Sequence, residues 1–168
     1  MNIFLIGFMG TGKTYWGKIW AQYNGLIFYD LDEVIEKKEG KTIAAIFEKE
    51  VEGYFRKLET AALHTFFEKE NCMIACGGGT PCFDDNIEWM NKNGTVIYLL
   101  AKPQYIFDRV MEEKIERPLI NKLNTAELLF FIEQKLKERE PFYNQAKIIL
   151  SVNELEEKIL SNYQLINL

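Results

Sequence analysis

Near its start the chain reads Gly7-Phe8-Met9-Gly10-Thr11-Gly12-Lys13-Thr14, which fits the pattern of two glycines four residues apart followed by Lys and Thr. The apolar residues 2–6 before it predict a β-strand, and residues 15–22 after it predict a helix. A glycine turn between strand and helix presents backbone N–H groups and the positive end of the helix dipole to a phosphate. The pattern in this context predicts a phosphate-binding loop (P-loop).

The residue types of this loop predict separate tasks. Lys13 is expected to reach the β- and γ-phosphates of a nucleotide, and the Thr14 hydroxyl is expected to ligate Mg²⁺ bridging the same phosphates. The nucleotide-binding stretch is predicted to be Gly10, Thr11, Gly12, Lys13, Thr14 and Tyr15. The loop predicts a nucleotide, and it does not determine the reaction.

Composition narrows the class of protein. A length of 168 residues predicts one domain with one core. A net charge of −5 argues against a nucleic-acid partner, which normally requires a basic face. A small anionic substrate would then need a local basic cleft.

Three cysteines, Cys72, Cys76 and Cys82, form no Cys-x-x-Cys pair and predict a protein of the reducing cytoplasm. We expect buried thiols here rather than a zinc site, and we expect His64 on a helix surface. The apolar runs are far shorter than the roughly twenty residues of a membrane span.

Predicted strands alternate with predicted helices along the whole chain. The strands are residues 2–6, 26–29, 72–76, 95–101 and 147–152, and the helices are residues 15–22, 33–39, 43–49, 53–69, 84–93, 103–112, 125–138 and 154–163. Each strand is apolar on both faces, which predicts an α/β fold with a parallel sheet covered by helices on both sides. The aromatic residues expected in the core include Trp16, Trp20, Phe66 and Phe67.

Ligands of such sheets bind beyond the carboxyl ends of the strands. The P-loop, Asp30 and Asp32, the turn Gly77-Gly78-Gly79 and the segment after Ala101 each follow a predicted strand. We therefore expect them at one edge of the sheet. Asp30 and Asp32 have an alternative use as helix N-caps, and we expect Asp32 to serve both purposes.

Two arginines near this acidic edge would suit an anionic substrate that also carries hydroxyls, because a guanidinium binds a carboxylate through two bonds. Whether Arg56 and Arg139 lie at this edge is left open by the residues alone. Alternatives remain for both: Arg56 and Glu59 lie three residues apart and suit a surface ion pair, and Arg139 suits a solvated helix end.

Residues 113–124 are polar and irregular and contain Arg117-Pro118-Leu119. Such a segment suits a mobile lid that excludes water during phosphoryl transfer. The alternative, for residues 112–117, is an exposed loop without a moving part.

These features together resemble the shikimate kinase family along nearly the whole chain. The motifs that carry the resemblance are residues 7–14, Asp30-Leu31-Asp32, Phe55-Arg56-Lys57-Leu58-Glu59 with Gly77-Gly78-Gly79, and Arg117-Pro118-Leu119 with Arg139-Glu140-Pro141-Phe142-Tyr143. The resemblance implies a P-loop NTP-transferase fold with a five-stranded parallel sheet in the order 2-3-1-4-5. It also implies transfer of the ATP γ-phosphate to the 3-hydroxyl of shikimate, in aromatic amino-acid biosynthesis.

The resemblance also implies roles on the acceptor side. Asp32 resembles the aspartate that grips the substrate hydroxyls and takes the proton of the attacking one. Arg56 and Arg139 resemble the pair that binds the shikimate carboxylate. The turn Gly77, Gly78 and Gly79 resembles the backbone that packs against the ring.

On the nucleotide side, Asp30 resembles the residue that holds Mg²⁺ through water. Arg117 resembles the lid arginine that closes over the phosphates, and Arg109 resembles the residue that stacks on adenine. The catalytic set implied is Lys13, Asp32 and Arg117.

The residues and the resemblance together predict a monomeric cytoplasmic enzyme formed by one domain. Its substrate-binding helices are expected over about 32–60 and its lid over about 113–124. Two other hypotheses stay open. One is another P-loop kinase for a small metabolite, such as gluconate or a nucleoside monophosphate. The other is a nucleotide-binding regulatory module that has lost catalysis.

Overall fold

The computed structural model describes residues 1–113 and 123–160. Five strands form one sheet in which every pair of neighbours is parallel. They are β1 (Asn2–Ile6), β2 (Ile27–Asp30), β3 (Cys72–Ala75), β4 (Gly94–Leu100) and β5 (Ile148–Ser151). Their order, β2-β3-β1-β4-β5, confirms the predicted sheet.

The helices lie between the strands and cover both faces of the sheet. They are α1 (Lys13–Tyr23), α2 (Leu31–Glu39), α3 (Ile43–Lys49), α4 (Glu52–His64), α5 (Asn86–Asn93), α6 (Pro103–Glu113) and α7 (Thr125–Tyr143). Short 3₁₀ helices span Thr65–Glu68, Thr80–Cys82 and Val152–Glu154. None of the helices in the described ranges is long and apolar enough to cross a membrane.

The central strand β1 contributes to a core on each face of the sheet. Phe4 and Ile6 join the cluster beneath α2, α4 and α5, whereas Ile3 and Leu5 join the cluster that contains Trp20 of α1. Alternate side chains of a strand point to opposite faces, so an apolar run without polar interruptions is what a doubly covered strand requires.

The strand predicted at residues 26–29 is present as β2, but the prediction that it is buried is wrong. β2 is an edge strand with one neighbour, and Ile27 is 58% exposed. An apolar run indicates a strand but does not say which neighbours the topology places beside it. The sheet is therefore doubly covered at its centre and only partly covered at this edge.

Three helix predictions need correction. The helix predicted over 53–69 ends at His64 and continues as a 3₁₀ turn, and this change of phase leaves Phe67 73% exposed instead of buried. No α-helix forms in the described part, residues 154–160, of the helix predicted over 154–163; Glu154 ends a 3₁₀ helix, and residues 161–163 lie outside the described ranges.

The third correction concerns α7, which extends past the predicted end at Glu138 and includes Pro141 in its last turn. Proline costs a helix one N–H group, and the last turn is anchored by Tyr143, which is fully buried and donates to the Gly78 carbonyl oxygen. This extension carries Arg139 and Tyr143 toward the carboxyl edge of the sheet. The predicted lid and Arg117 fall largely or wholly on residues 114–122, outside the described ranges.

Candidate functional site

A cavity of about 390 Å³ lies at the carboxyl edge of the sheet. It is lined by the P-loop, the start of α2, one face of α4, the glycine turn after β3, α6 and the end of α7. Among the predicted site residues in the described ranges, those on the cavity wall are Gly10, Gly12, Lys13, Thr14, Tyr15, Asp30, Asp32, Arg56, Gly77, Gly78, Gly79, Arg109 and Arg139.

Thr11 is the exception, because it is 1% exposed and its hydroxyl donates to the Phe8 carbonyl at 2.8 Å. That bond closes the loop on itself. Gly10 and Gly12 have φ of 77° and 84°, in the left-handed region where a side chain is strained. At Gly7 a Cβ would lie 2.8 Å from the Leu99 carbonyl oxygen. These glycines are therefore needed for the shape of the loop.

Lys13 folds back over the loop. Its Nζ donates to the carbonyl oxygens of Gly7 and Phe8 at 2.9 and 2.8 Å, which holds the ammonium at the rim of the phosphate cradle. The ammonium is a mobile point charge that can exchange these carbonyls for phosphate oxygens.

Asp30 links the P-loop to the start of α2. Its Oδ2 accepts from the Thr14 hydroxyl at 2.7 Å, and its Oδ1 accepts from the Asp32 backbone N–H at 3.0 Å. Asp30, not Asp32, is thus the N-cap, so the expectation that Asp32 caps α2 is wrong, although Asp32 does lie in the first turn where a carboxylate faces the positive end of the helix dipole. Asp32 lies in the first turn of α2 and faces the cavity.

Thr14 and Asp30 together offer the hard oxygen ligands that suit Mg²⁺, in a site that also adjoins the phosphate loop. The described residues contain no cluster of three or more His, Cys, Asp or Glu that could hold a metal by itself. A cation here would therefore depend on ligands from a bound phosphate chain, as Mg²⁺ does in P-loop kinases.

Arg56 is held by two carboxylates of its own helix. Nε and Nη2 donate to Glu52 Oε1 at 3.2 and 2.8 Å, and Nη1 donates to Glu59 Oε2 at 2.7 Å. Arg56 is 7% and Glu59 1% exposed, so the alternative of a surface ion pair is wrong. Helical spacing predicted the pairing, but only the packing of α4 under the glycine turn determines its burial.

For each member of this pair, burial and the charge of the partner shift the pKa in opposite directions. Burial lowers the pKa of Arg56, but the carboxylates of Glu59 and Glu52 outweigh it and raise that pKa above its ordinary value. Burial raises the pKa of Glu59, while Arg56 and the Thr80 hydroxyl oppose the rise. The Glu59 charge depends on its partners, so removing Arg56 would leave a costly buried carboxylate.

The glycine turn is required by the close approach of side chains. A Cβ would lie 2.5 Å from Glu59 Oε1 at Gly77 and 2.6 Å from Arg56 Nη1 at Gly79. Both distances are shorter than van der Waals contact, and both polar groups are anchored. The backbone of the turn is therefore packed directly on the Arg56–Glu59 pair.

Arg139 reaches the same cavity from α7. It is partly buried, and its Cζ lies 5.1 Å from the centre of the Phe8 ring. The alternative of a solvated helix end is therefore wrong. Arg109 comes from α6, which packs on the P-loop: a Cβ at Gly10 would lie 3.5 Å from the Arg109 Cβ.

Several residues of the site were not predicted. Phe47 and Ile43 line the cavity, and Phe83 lies with its ring centre 4.5 Å from Arg56 Cζ. Glu52 has a local signal, its position four residues before Arg56 on a helix. The three apolar residues have no such signal, because their role depends on how α3 and the 3₁₀ turn pack.

The three cysteines and His64, which were weighed as zinc ligands, are buried to different degrees. Cys72 and Cys76 are buried thiols, as predicted, whereas Cys82 is only partly buried. His64 is exposed, as predicted, and stacks on Trp89 with ring centres 4.6 Å apart.

Comparison with known proteins gives matches over nearly the whole chain. The family model described as shikimate kinase matches residues 9–166. A shikimate kinase of Phocaeicola vulgatus is 44% identical over 157 residues, covering 94% of this chain and 90% of its own.

Two solved structures share the fold. The crystal structure of shikimate kinase from Bacteroides thetaiotaomicron has a TM-score of 0.91 at 40% identity and 97% coverage of both chains. Shikimate kinase from Acinetobacter baumannii in complex with shikimate has a TM-score of 0.84 at 35% identity, covering 96% of this chain and 89% of its own. On the family match, the identity and the shared sheet, this chain belongs to the shikimate kinase family.

Proposed function

We propose that this protein transfers the γ-phosphoryl group of ATP to the 3-hydroxyl of shikimate, giving shikimate 3-phosphate and ADP for aromatic amino-acid biosynthesis. One observation carries the proposal. A single cavity is lined by a P-loop, by Asp30 and Asp32, and by Arg56 and Arg139. A phosphate donor and an acidic polyol can therefore bind side by side.

On the donor side, the P-loop backbone binds the phosphates and Lys13 neutralises the transferring group. Phosphoryl transfer needs alignment and charge stabilisation more than covalent chemistry, so a preorganised cradle is what the reaction requires. Thr14 and Asp30 would hold Mg²⁺, Asp30 through a water molecule. The ion would supply further neutralisation of the phosphate oxygens.

On the acceptor side, Arg56 and Arg139 bind the carboxylate of shikimate. Glu52 and Glu59 take three N–H groups of Arg56, which leaves one N–H on each of Nη1 and Nη2 for a two-point bond to that carboxylate. Asp32 accepts hydrogen bonds from the substrate hydroxyls and takes the proton of the attacking oxygen.

The glycine turn packs against the shikimate ring on the same side. The substrate-binding helices span about residues 32–60, and α2, α3 and α4 support this division by contributing Asp32, Phe47 and Arg56 to the cavity.

Two nucleotide contacts complete the proposal. Arg109 stacks on adenine, which its place on the cavity wall beside the P-loop supports. Arg117 closes over the phosphates as part of a lid over about 113–124. That role rests on the sequence motif, since Arg117 lies outside the described residues.

We further propose a monomer in the cytoplasm. All the site residues of the described ranges come from one chain around one cavity, and the three cysteines are free thiols. Light scattering on the purified protein tests the first point, and cell fractionation tests the second.

A coupled assay of ADP release tests the reaction, with shikimate, gluconate and nucleoside monophosphates as acceptors. We expect turnover with shikimate and not with the others, and loss of at least about 10²-fold in kcat for Lys13→Ala. Lys18→Ala, an exposed position on the same helix, is the matched control and should keep full activity. Turnover with gluconate or a nucleotide instead would contradict the assignment, and tight ATP binding without turnover would favour the regulatory module.

A further inference from the structure

Tyr143, the last residue of α7, is completely buried, and its hydroxyl donates to the Gly78 carbonyl oxygen at 2.6 Å. Burial raises the pKa of Tyr143 above its ordinary value, opposed by Arg139, so the hydroxyl keeps its proton and can donate. Tyr143 does not line the cavity, whereas Gly78 does. The same hydroxyl also interacts with Arg139, which lines the cavity together with Gly78.

The three carbonyl groups of the glycine turn are each held by a hydrogen bond. Gly77 O accepts from Thr80 N at 3.1 Å and Gly79 O accepts from Cys82 N at 2.9 Å, both within the local chain. Gly78 O accepts instead from a side chain 65 positions away in sequence. The middle peptide of the turn thus depends on Tyr143 for its orientation.

A trans peptide unit is planar, so its C=O and N–H point in opposite directions. The Tyr143 bond to Gly78 O therefore directs the N–H of Gly79 away from Tyr143. Glycine has the widest backbone freedom of any residue. A peptide between two glycines could rotate at little cost, and this bond opposes that rotation.

Gly78 also lies between the two halves of the site. A Cβ there would be 3.1 Å from Arg139 Nη1, 3.4 Å from Gly7 O and 3.6 Å from Met9 N. Gly78 therefore lies next to Arg139 on the acceptor side and next to the P-loop backbone on the donor side.

We propose that Tyr143 is a positioning residue that holds the Gly78–Gly79 peptide with its N–H facing the acceptor, so that the turn and Arg139 bind the substrate in register. The proposal rests on the proposed function for its substrate, but the orientation of the peptide does not. The ligand class that depends on it is the anionic polyol, not the nucleotide.

The test compares Tyr143→Phe with the wild type and with Tyr98→Phe. Tyr98 is a matched control, because it is 3% exposed and its ring centre lies 4.9 Å from that of Tyr143. In steady-state kinetics we expect Tyr143→Phe to raise the KM for shikimate roughly five- to tenfold, the effect of one lost hydrogen bond. The KM for ATP should change by less than about twofold, and Tyr98→Phe should leave both KM values near those of the wild type.

A second readout does not depend on the reaction. In ¹⁵N–¹H spectra of the ligand-free proteins, Tyr143→Phe should shift the Gly79 amide resonance, because the carbonyl of the same peptide loses its hydrogen bond, and Tyr98→Phe should not. An unchanged Gly79 amide would overturn the proposal. An unchanged KM for shikimate, an equal rise in both KM values, or the same effect in Tyr98→Phe would also overturn it. A wild type that does not phosphorylate shikimate would refute the proposed function alone, and the amide spectra would still decide the orientation of the turn.

Discussion

Individual residues in this site serve packing and chemistry at once. Asp30 caps α2 and binds the Thr14 hydroxyl, and Arg56 is both a candidate carboxylate ligand and the partner of a buried glutamate. Arg139, by contrast, is only partly buried and carries no such ion pair in the described ranges. The two arginines assigned to the same substrate group should therefore differ in what they contribute to stability.

We expect Arg56→Ala to lower the free energy of unfolding by roughly 3 kcal/mol, because Glu59 is left buried without its cation. Arg139→Ala should change it by less than about 1 kcal/mol. Both variants should raise the KM for shikimate more than that for ATP. Urea unfolding and steady-state kinetics on the same preparations measure these effects.

A double variant separates the two roles of Arg56. Adding Glu59→Gln to Arg56→Ala removes the stranded charge and should recover part of the lost stability without recovering shikimate binding. If Arg56→Ala and Arg139→Ala lowered the free energy of unfolding equally, the argument that only Arg56 supports a buried carboxylate would be wrong. Equal losses of affinity for ATP and shikimate would mean that the arginines are misassigned.

Among the elements, α1 is positioned by a glycine as much as by its apolar side chains. A Cβ at Gly17 would lie 2.5 Å from Phe28 Cε2 and 3.0 Å from Leu5 Cδ1, so this helix sits unusually close to the sheet. The close approach matters for function because α1 begins at Lys13. Moving the helix outward would move the phosphate cradle with it.

We expect Gly17→Ala to destabilise the fold by about 1–2 kcal/mol, since the strain of overpacking exceeds the gain in helix propensity. Gly53→Ala on α4 is the matched control, because nothing lies within 4 Å of the added Cβ, and it should be neutral or stabilising by up to about 1 kcal/mol. Urea denaturation compares the two. Equal effects would show that α1 can move away from the sheet without cost.

At the scale of the whole molecule, the sheet order places β1 at the centre, so that the P-loop opens between the acceptor helices and α6. The cavity is bounded by elements far apart in sequence, from the first strand to the end of α7. Ligands that fill it should therefore stabilise the entire fold and not one segment.

A ligand that binds only the folded state at about 100 times its Kd adds about 2.7 kcal/mol to the free energy of unfolding. For a chain of this size we expect saturating shikimate to raise Tm by roughly 5–10 °C. Gluconate at the same concentration should leave Tm unchanged. Scanning fluorimetry measures both, and an equal shift with gluconate would argue against an acceptor pocket built for a cyclic polyol acid.

Local sequence patterns were enough to predict the P-loop, the types of the strands and helices, and the class of the sheet. Eight consecutive residues specify the phosphate loop, and runs of apolar residues specify central strands such as β1 and β4. Element ends were less predictable: α7 continues through Pro141, and Phe67 falls outside the phase of α4. At both places a tertiary contact or a change of helix type overrides the local pattern.

By itself, then, the sequence determined the nucleotide-binding element and the kind of residue available to an anionic acceptor. Only the tertiary structure decided that Arg56 and Glu59 are buried, that β2 lies at the edge of the sheet, and that Tyr143 holds the Gly78 carbonyl. The physical reason is that burial and orientation are properties of contacts between distant segments. The pattern of residues within any one segment does not contain them.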